Sequence, residues 1–251
     1  GAFSITVSEE EKMGRSMLRY IYQQYEIIDD PAVVEYVNKV GNRIVEGLED
    51  PLFNYRFHVI KVDTYNAFAI PAGYIFINSG LMAAMDSEEE LAGILAHEIA
   101  HVNARHISQK IERSKKIGWA TLAGLAAGVL IGAAGGAEAG QAVTQGSQAA
   151  GAAAQLSYSR DNEIQADQLG LIYLNDAGYD GAGLLKILKK MRSKQWFGTE
   201  QIPTYMRTHP AIDERIAYLD SQLASTPKST KTQHQVNPDD FIRAHTYLIT
   251  Q

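Results

Sequence analysis

Residues 97–101 read His-Glu-Ile-Ala-His, an H-E-x-x-H pattern whose spacing predicts both a local fold and a chemistry. On an α-helix, positions four apart differ by about 40° of rotation, so His97 and His101 project from one face and can bind one zinc ion. Glu98 lies next to His97 and is placed to act on a metal-bound water. The competing interpretation is a helical histidine pair without a metal, and the apolar flanks of the pattern weaken it.

Composition describes a globular protein of moderate size. The chain has 251 residues, a formal net charge of −6 and 45% hydrophobic residues, enough for a sizeable core. The negative charge and the lack of a concentrated Lys/Arg patch argue against a nucleic-acid partner. Because there is no cysteine, disulfides, cysteine zinc sites and thiol catalysis are excluded. No signal peptide is recognisable, and we expect any export signal or lipid anchor to lie outside this sequence.

Hydrophobic periodicity predicts an α+β fold, mainly α, with a small mixed or antiparallel sheet. The motif helix is expected to begin at Ser87, with a capping box from Ser87 to Glu90, and to run to about Lys116. The other predicted helices and strands follow in order: helices within 8–48, a strand at 55–62, two strands within 65–80 broken at 71–73, and helices at 159–176, 182–194, 211–223 and 238–249.

We expect a single domain over residues 1–251. Its predicted parts are N-terminal helices in 1–50, the sheet and the chemical core in 53–224, and a C-terminal extension in 225–251. Within it, residues 117–137 carry no charge over 21 positions, which is long enough to cross a bilayer. Six of these residues are Gly and seven are Ala, so we favour a helix or mobile segment packed against the protein or over the cleft. The alternative is a membrane-embedded or membrane-facing hairpin.

Two histidines do not complete a zinc site, because a catalytic site needs a third protein ligand and an open position. The extended form of the motif would need Gly and His where this chain has Ala104 and Ile107, so that class is excluded. His106 is no substitute, because it is nine residues from His97 and therefore on the opposite helix face. Glu163 and Asp167, four residues apart, share one face of a later helix. They form either a third ligand with a supporting carboxylate or a solvated acidic face.

Further short motifs accompany these residues in a fixed order along the chain. They are Asn66-Ala67-Phe68-Ala69-x-Pro71, Gly73, Gly80-Leu81, His97-Glu98-x-x-His101, Glu163-x-x-Ala166-Asp167 and His209-Pro210-x-x-x-x-Arg215. This combination, over about residues 55–220, resembles the zincin-like gluzincin family that contains the CAAX prenyl proteases and the HtpX-like and periplasmic quality-control metallopeptidases. Ala72 departs from the resemblance, because many members carry a second Gly after the Pro.

The resemblance implies a zinc metalloendopeptidase that acts on protein or peptide substrates. One zinc ion per chain would be held by His97, His101 and Glu163, with Glu98 as general base and Asp167 as the carboxylate that supports a ligand histidine.

The resemblance also implies other roles around the site. Residues 73–78 would form an edge strand that pairs with extended substrate, which makes Gly73, Tyr74 and Ile75 substrate-binding residues, with Asn66 beside the site. His209 and Arg215 would stabilise the oxyanion. By itself, Thr-His-Pro before a helix is often only a capping turn, and His209 as a fourth zinc ligand that keeps the resting enzyme latent is a further hypothesis.

The expected biological setting is the bacterial cell envelope, with the periplasm favoured and membrane association as the alternative. The expected role is protein quality control, with contact to a membrane or to outer-membrane proteins through residues 117–150. A second hypothesis is a latent or chaperone-like zinc protein that binds misfolded envelope proteins.

Overall fold

The computed structural model describes residues 5–113, 157–197, 203–225 and 234–250. The uncharged segment 117–137 and the wider stretch 117–150 lie outside the described residues. Within the ranges that are described, no helix is both long enough and apolar enough to span a membrane.

The described ranges contain ten helices and three strands, which confirms a mainly helical fold with a small mixed sheet. In chain order they are α1 (Val7–Gln24), α2 (Pro31–Glu46), β1 (Arg56–Ile60), β2 (Ala67–Ile70), β3 (Tyr74–Asn78), α3 (Ser79–Ala83), α4 (Glu88–Asn103), α5 (His106–Arg113), α6 (Arg160–Asp176), α7 (Ala182–Phe197), α8 (Thr204–Thr208), α9 (Ile212–Ser225) and α10 (Pro238–Ile249).

The sheet has the order β1-β3-β2, so β3 is its central strand. β1 runs parallel to β3 and β2 runs antiparallel to it. The turn between β2 and β3 places Ala72 at φ 71° and Gly73 at φ 83°. Ala72 therefore holds a left-handed conformation that favours glycine, at the position where the chain departs from its resemblance.

The prediction that residues 73–78 form an edge strand is wrong, because both sides of β3 are paired. Tyr74 and Ile75 lie opposite Arg56 and Phe57 of β1 and opposite Ile70 and Ala69 of β2. A strand with two partners has no free row of backbone groups to offer a substrate. In the described part of the sheet, β2 is the outer strand on the side of α4, against which it packs.

Helix α4, which carries the H-E-x-x-H pattern, lies at the centre of the molecule. It packs against α2, α6, α7 and β2, and most of its residues are buried on every side. Its start at Glu88 agrees with the prediction, but the expected capping box is absent because Ser87 makes no side-chain cap hydrogen bond. Glu90 Oε2 instead accepts from the Asp86 backbone N–H at 3.1 Å and from Lys190 Nζ at 2.8 Å.

The expected continuation of the motif helix to about Lys116 is also wrong. α4 ends at Asn103, Arg105 takes a left-handed backbone conformation at φ 55°, and α5 starts afresh at His106. The Arg105 side chain is bound to the N-terminal part of the chain: Nε donates to Glu10 Oε1 at 2.6 Å, and Nη2 donates to the Ile5 carbonyl at 2.7 Å. Contacts with the N-terminal helix therefore accompany a break that hydrophobic periodicity does not reveal.

Candidate active site

Two helices place the three expected ligands around one point. α4 carries His97 and His101 one turn apart, and α6 brings Glu163 against them. The two Nε2 atoms are 2.9 Å apart, Glu163 Oε2 is 3.5 Å from His97 Nε2, and Glu163 Oε1 is 3.3 Å from His101 Nε2. All three side chains have 0% exposure. The donors thus converge as the helical spacing predicts, in a volume closed to solvent.

His209 joins this group from the segment between α8 and α9. Its ligand atom and those of His97, His101 and Glu163 all lie within 4.8 Å of one another. Thr208 Oγ1 lies 3.1 Å from the Tyr205 carbonyl, to which it donates, and 2.9 Å from His209 Nδ1. The hydroxyl oxygen therefore accepts from Nδ1–H, which leaves a lone pair on His209 Nε2 facing the cluster.

The cluster fits a bound cation. Glu163 Oε1 and His209 Nε2 are buried without a hydrogen bond among the described residues, although such atoms are normally satisfied in a protein interior, and Glu163 Oε2 has an ion pair with Arg215. A donor set of two imidazoles and one carboxylate is that of catalytic zinc sites. A metal at the point where these atoms meet would satisfy them together.

Asp167 and Arg215 form a charged pair behind the ligands. Asp167 Oδ1 lies 2.9 Å from His97 Nδ1, the geometry expected for a carboxylate that orients a ligand imidazole. Arg215 donates from Nε to Asp167 Oδ2 and from Nη2 to Oδ1, both at 2.8 Å, while Nη1 lies 2.7 Å from Glu163 Oε2. Because its nitrogens engage two carboxylates, this geometry favours a positioning role for Arg215 over the oxyanion role that the resemblance implies.

Glu98 is a buried carboxylate with a pKa suited to proton transfer. Burial raises its pKa to about 7, nearby Glu163 adds to the rise, and the charges of His97 and Arg215 oppose it. The Ala69 backbone N–H faces the carboxylate and also lowers the pKa. A base whose pKa lies near neutral can both take and return a proton at neutral pH.

The two motif histidines have pKa values shifted in opposite directions. Burial and Arg215 act to lower the pKa of His97, but hydrogen bonds to Asp167 and Glu163 outweigh them and raise it to about 9. Burial lowers the pKa of His101 to about 3. Metal binding requires neutral imidazoles, so His97 would have to be neutral to hold a cation in this cluster.

Strand β2 presents its outer backbone edge next to Glu98. The Asn66 carbonyl accepts from the Asn78 N–H of β3, and Phe68 pairs with Phe76. Because backbone groups alternate in direction along an antiparallel strand, those of Ala67 and Ala69 face away from β3. Among the described strands, the unpaired sheet edge next to Glu98 is therefore that of residues 67–70, which are 0% exposed, and not that of Gly73, Tyr74 and Ile75.

Two tyrosines that the motifs do not mark close the site. The Tyr158 ring stacks on His101 at 3.8 Å between centroids, and the Tyr205 ring stacks on His209 at 4.1 Å. Tyr158 and Tyr205 are fully or almost fully buried. The only sequence signals for them are their positions: Tyr158 lies just before α6, and Tyr205 lies four residues before His209.

His106 is not on the opposite face from the motif, as a continuous helix would require. Since α4 ends before it, the chain turns back and His106 Nδ1 lies 2.9 Å from His101 Nδ1. His106 is not one of the four clustered donors, in agreement with its exclusion as a ligand.

Comparison with known proteins adds to this geometry. The family model described as Peptidase family M48 matches residues 31–223. A Vibrio cholerae protein provisionally named a beta-barrel assembly-enhancing protease is 32% identical over 213 residues, which are 85% of this chain and 44% of that protein. The beta-barrel assembly-enhancing protease of Escherichia coli K12 is 28% identical over 214 residues, with the same two shares. The mitochondrial metalloendopeptidase OMA1 of Schizosaccharomyces pombe is 27% identical over 199 residues, 78% of this chain and 55% of that protein.

The chain spans less than half the length of the two bacterial relatives. The matched part contains the H-E-x-x-H helix, the Glu163 helix and the segment with His209 and Arg215.

Proposed function

The chain belongs to peptidase family M48, and from that premise we propose that it is a zinc metalloendopeptidase that hydrolyses peptide bonds in protein substrates. The observation that carries the proposal is the closed donor set of His97, His101 and Glu163 with the Glu98 carboxylate beside it. Two imidazoles and a carboxylate suit zinc better than the harder cations, which prefer oxygen ligands alone.

His97, His101 and Glu163 would hold the zinc ion. When bound, zinc supplies a Lewis acid that polarises the scissile carbonyl and makes a water molecule more acidic. Glu98 would accept a proton from the attacking water at its carboxylate and return it to the leaving amine. Asp167 and Arg215 keep His97 and Glu163 in place for this chemistry.

We assign substrate pairing to the outer edge of β2. An extended peptide added to this edge would hydrogen-bond to the backbone of Ala67 and to the Ala69 carbonyl, because the Ala69 N–H faces Glu98, and would lie along the Glu98 carboxylate. Asn66, at the start of this edge, stays a substrate-binding candidate, whereas Gly73, Tyr74 and Ile75 do not.

The proposal is tested with purified protein, unfolded casein as substrate and measurement of metal content. We expect about one zinc ion per chain, and we expect casein cleavage to be lost on treatment with a chelator and restored by zinc. Magnesium added after chelation is the matched control and should restore nothing, because its preferred ligands are oxygens. A chain that binds no zinc, or that cleaves equally well after chelation, would contradict the proposal.

Complete burial of the ligands and the lone pair of His209 Nε2 favour a resting state in which access is restricted. In this second candidate function the protein is latent, or binds misfolded proteins as a chaperone does, with His209 as a fourth zinc ligand. We expect X-ray absorption of the zinc-loaded protein to show three nitrogen ligands, and one fewer in His209→Ala. An unchanged nitrogen count in the variant would rule out the fourth ligand.

The names of the bacterial relatives concern the assembly of beta-barrels, which as closed barrels can span a membrane. We extend this to the chain and propose protein quality control in the bacterial envelope, in the periplasm, with residues 117–150 as the segment that contacts outer-membrane proteins. Deleting the gene should then leave poorly assembled barrel proteins to accumulate, and recovery of the protein from the cytosolic fraction would contradict this location.

A further inference from the structure

The two motif histidines direct the same nitrogen to the cluster but have different partners on their far side. Both turn Nε2 toward Glu163, which leaves each Nδ1 facing away. His97 Nδ1 meets the Asp167 carboxylate at 2.9 Å, whereas His101 Nδ1 meets the Nδ1 atom of His106, also at 2.9 Å. Only the first of these partners is a carboxylate of the kind expected behind a metal-binding histidine.

Hydrogen-bond chemistry assigns one consistent set of protons to the His101 side. An imidazole that uses Nε2 as a ligand carries its proton on Nδ1, so His101 donates and His106 Nδ1 must accept. His106 then carries its own proton on Nε2, which lies 2.9 Å from Gln165 Oε1, an atom that can only accept. The order of donors therefore runs from His101 through His106 to Gln165.

The break after α4 makes this contact available. On a continuous helix, a residue five positions after His101 would be rotated by about 140° from it, too far to meet its ring. The left-handed Arg105 turns the chain back, with its side chain anchored on Glu10 and on the Ile5 carbonyl. His106 is 2% exposed, so water has little room to replace its ring.

We propose that His106 is a positioning residue for the metal site, which accepts the His101 Nδ1–H bond and so holds His101 with its Nε2 lone pair directed at the metal. The proposal rests on the zinc site of the proposed function and adds to it a residue that binds neither metal nor substrate. Gln165 is exposed, so water can substitute for its carbonyl and its own contribution is smaller.

The test measures the zinc affinity of purified variants by competition with a chelator of known affinity. His106→Leu keeps the bulk of the ring but removes the acceptor, and we expect zinc binding about 10- to 100-fold weaker, the effect typical of losing the partner of a ligand histidine. His106→Asn places a carbonyl oxygen near the position of Nδ1 and should recover most of this loss. Gln165→Leu should weaken binding only a few-fold, and should have no further effect when combined with His106→Leu.

Two comparisons separate failure of this inference from failure of the proposed function. Asp167→Asn serves as the reference variant on the His97 side and should weaken zinc binding to a similar degree. If the wild-type protein binds no zinc, the proposed function fails. The positioning role is overturned, and the metal site stands, if Asp167→Asn weakens zinc binding while a folded His106→Leu binds zinc as tightly as the wild type. It is also overturned if His106→Asn recovers none of the affinity that His106→Leu loses.

Discussion

Glu98→Gln should lower the rate of casein cleavage by about 100- to 10,000-fold, the usual contribution of a positioned general base. The amide has the shape of the carboxylate but cannot take up a proton. Glu98 is not one of the clustered donors, so zinc content should stay at about one ion per chain. Turnover and metal content measured on the same preparation separate loss of the base from loss of the site.

Glu214→Gln is the matched control, because it makes the same chemical change on an exposed residue of α9. It should leave both the rate and the zinc content unchanged. Glu98→Gln protein that retains zinc and digests casein at the wild-type rate would show that another group accepts the proton.

Arg215→Met should lower the free energy of unfolding of the metal-free protein by about 3–5 kcal/mol, the range seen when one partner of a buried ion pair is removed. Arg215 is fully buried between Asp167 and Glu163, which are themselves fully buried. Methionine fills much of the space but leaves two carboxylates without their cation. Such a loss is a large fraction of the total stability of a typical domain, about 5–15 kcal/mol. Urea unfolding at pH 7 measures it.

Arg160→Met is the control for this substitution. Arg160 forms an ion pair with Glu214 in which the side chains are 70% and 56% exposed, so its removal should cost less than about 1 kcal/mol. A cost for Arg215→Met no larger than that of Arg160→Met would contradict the structural role of the buried pair.

The effect of Arg215→Met should also shrink as the pH falls. Burial acts to raise the pKa values of Glu163 and Asp167. The charge of Arg215 is the main cause that opposes burial, and it helps to hold the pKa of Glu163 well below its usual range and to lower the pKa of Asp167. Their contribution to wild-type stability is therefore present above the unfolded-state pKa, about 4, and is lost as the pH falls through the folded-state pKa. Without the guanidinium, burial raises both pKa values, and protonation relieves the variant. The difference in free energy of unfolding between the wild type and Arg215→Met, measured by urea unfolding, should therefore be smaller at pH 5 than at pH 7.

Local regularity made much of the site predictable. The spacing of His97 and His101, and of Glu163 and Asp167, predicts pairs on one helix face, because neighbours on a helix are set by backbone hydrogen bonds between residues four apart. The turn at 71–73 and the start of α4 at Glu88 follow from equally local signals.

Other features escaped prediction because they depend on residues far apart in the chain. The helix break at Arg105 accompanies contacts with Glu10, 95 positions earlier. The sheet order places β3 between β1 and β2, so β3 is central although β2 lies between β1 and β3 in the sequence. The position of a strand within a sheet depends on packing against its neighbours, and an alternating pattern of apolar residues does not predict it.

The sequence by itself determined which side chains can carry the chemistry: two histidines four residues apart, Glu98 beside the first of them and Glu163 in a later helix, with no cysteine to compete for the metal. Only the tertiary structure decided which atoms meet, namely that Arg215 faces carboxylates, that His209 joins the clustered donors and that His106 contacts His101. The physical reason is that helical periodicity acts over a few residues, whereas burial and ion pairing join α4, α6 and α9 only after the core has closed around them.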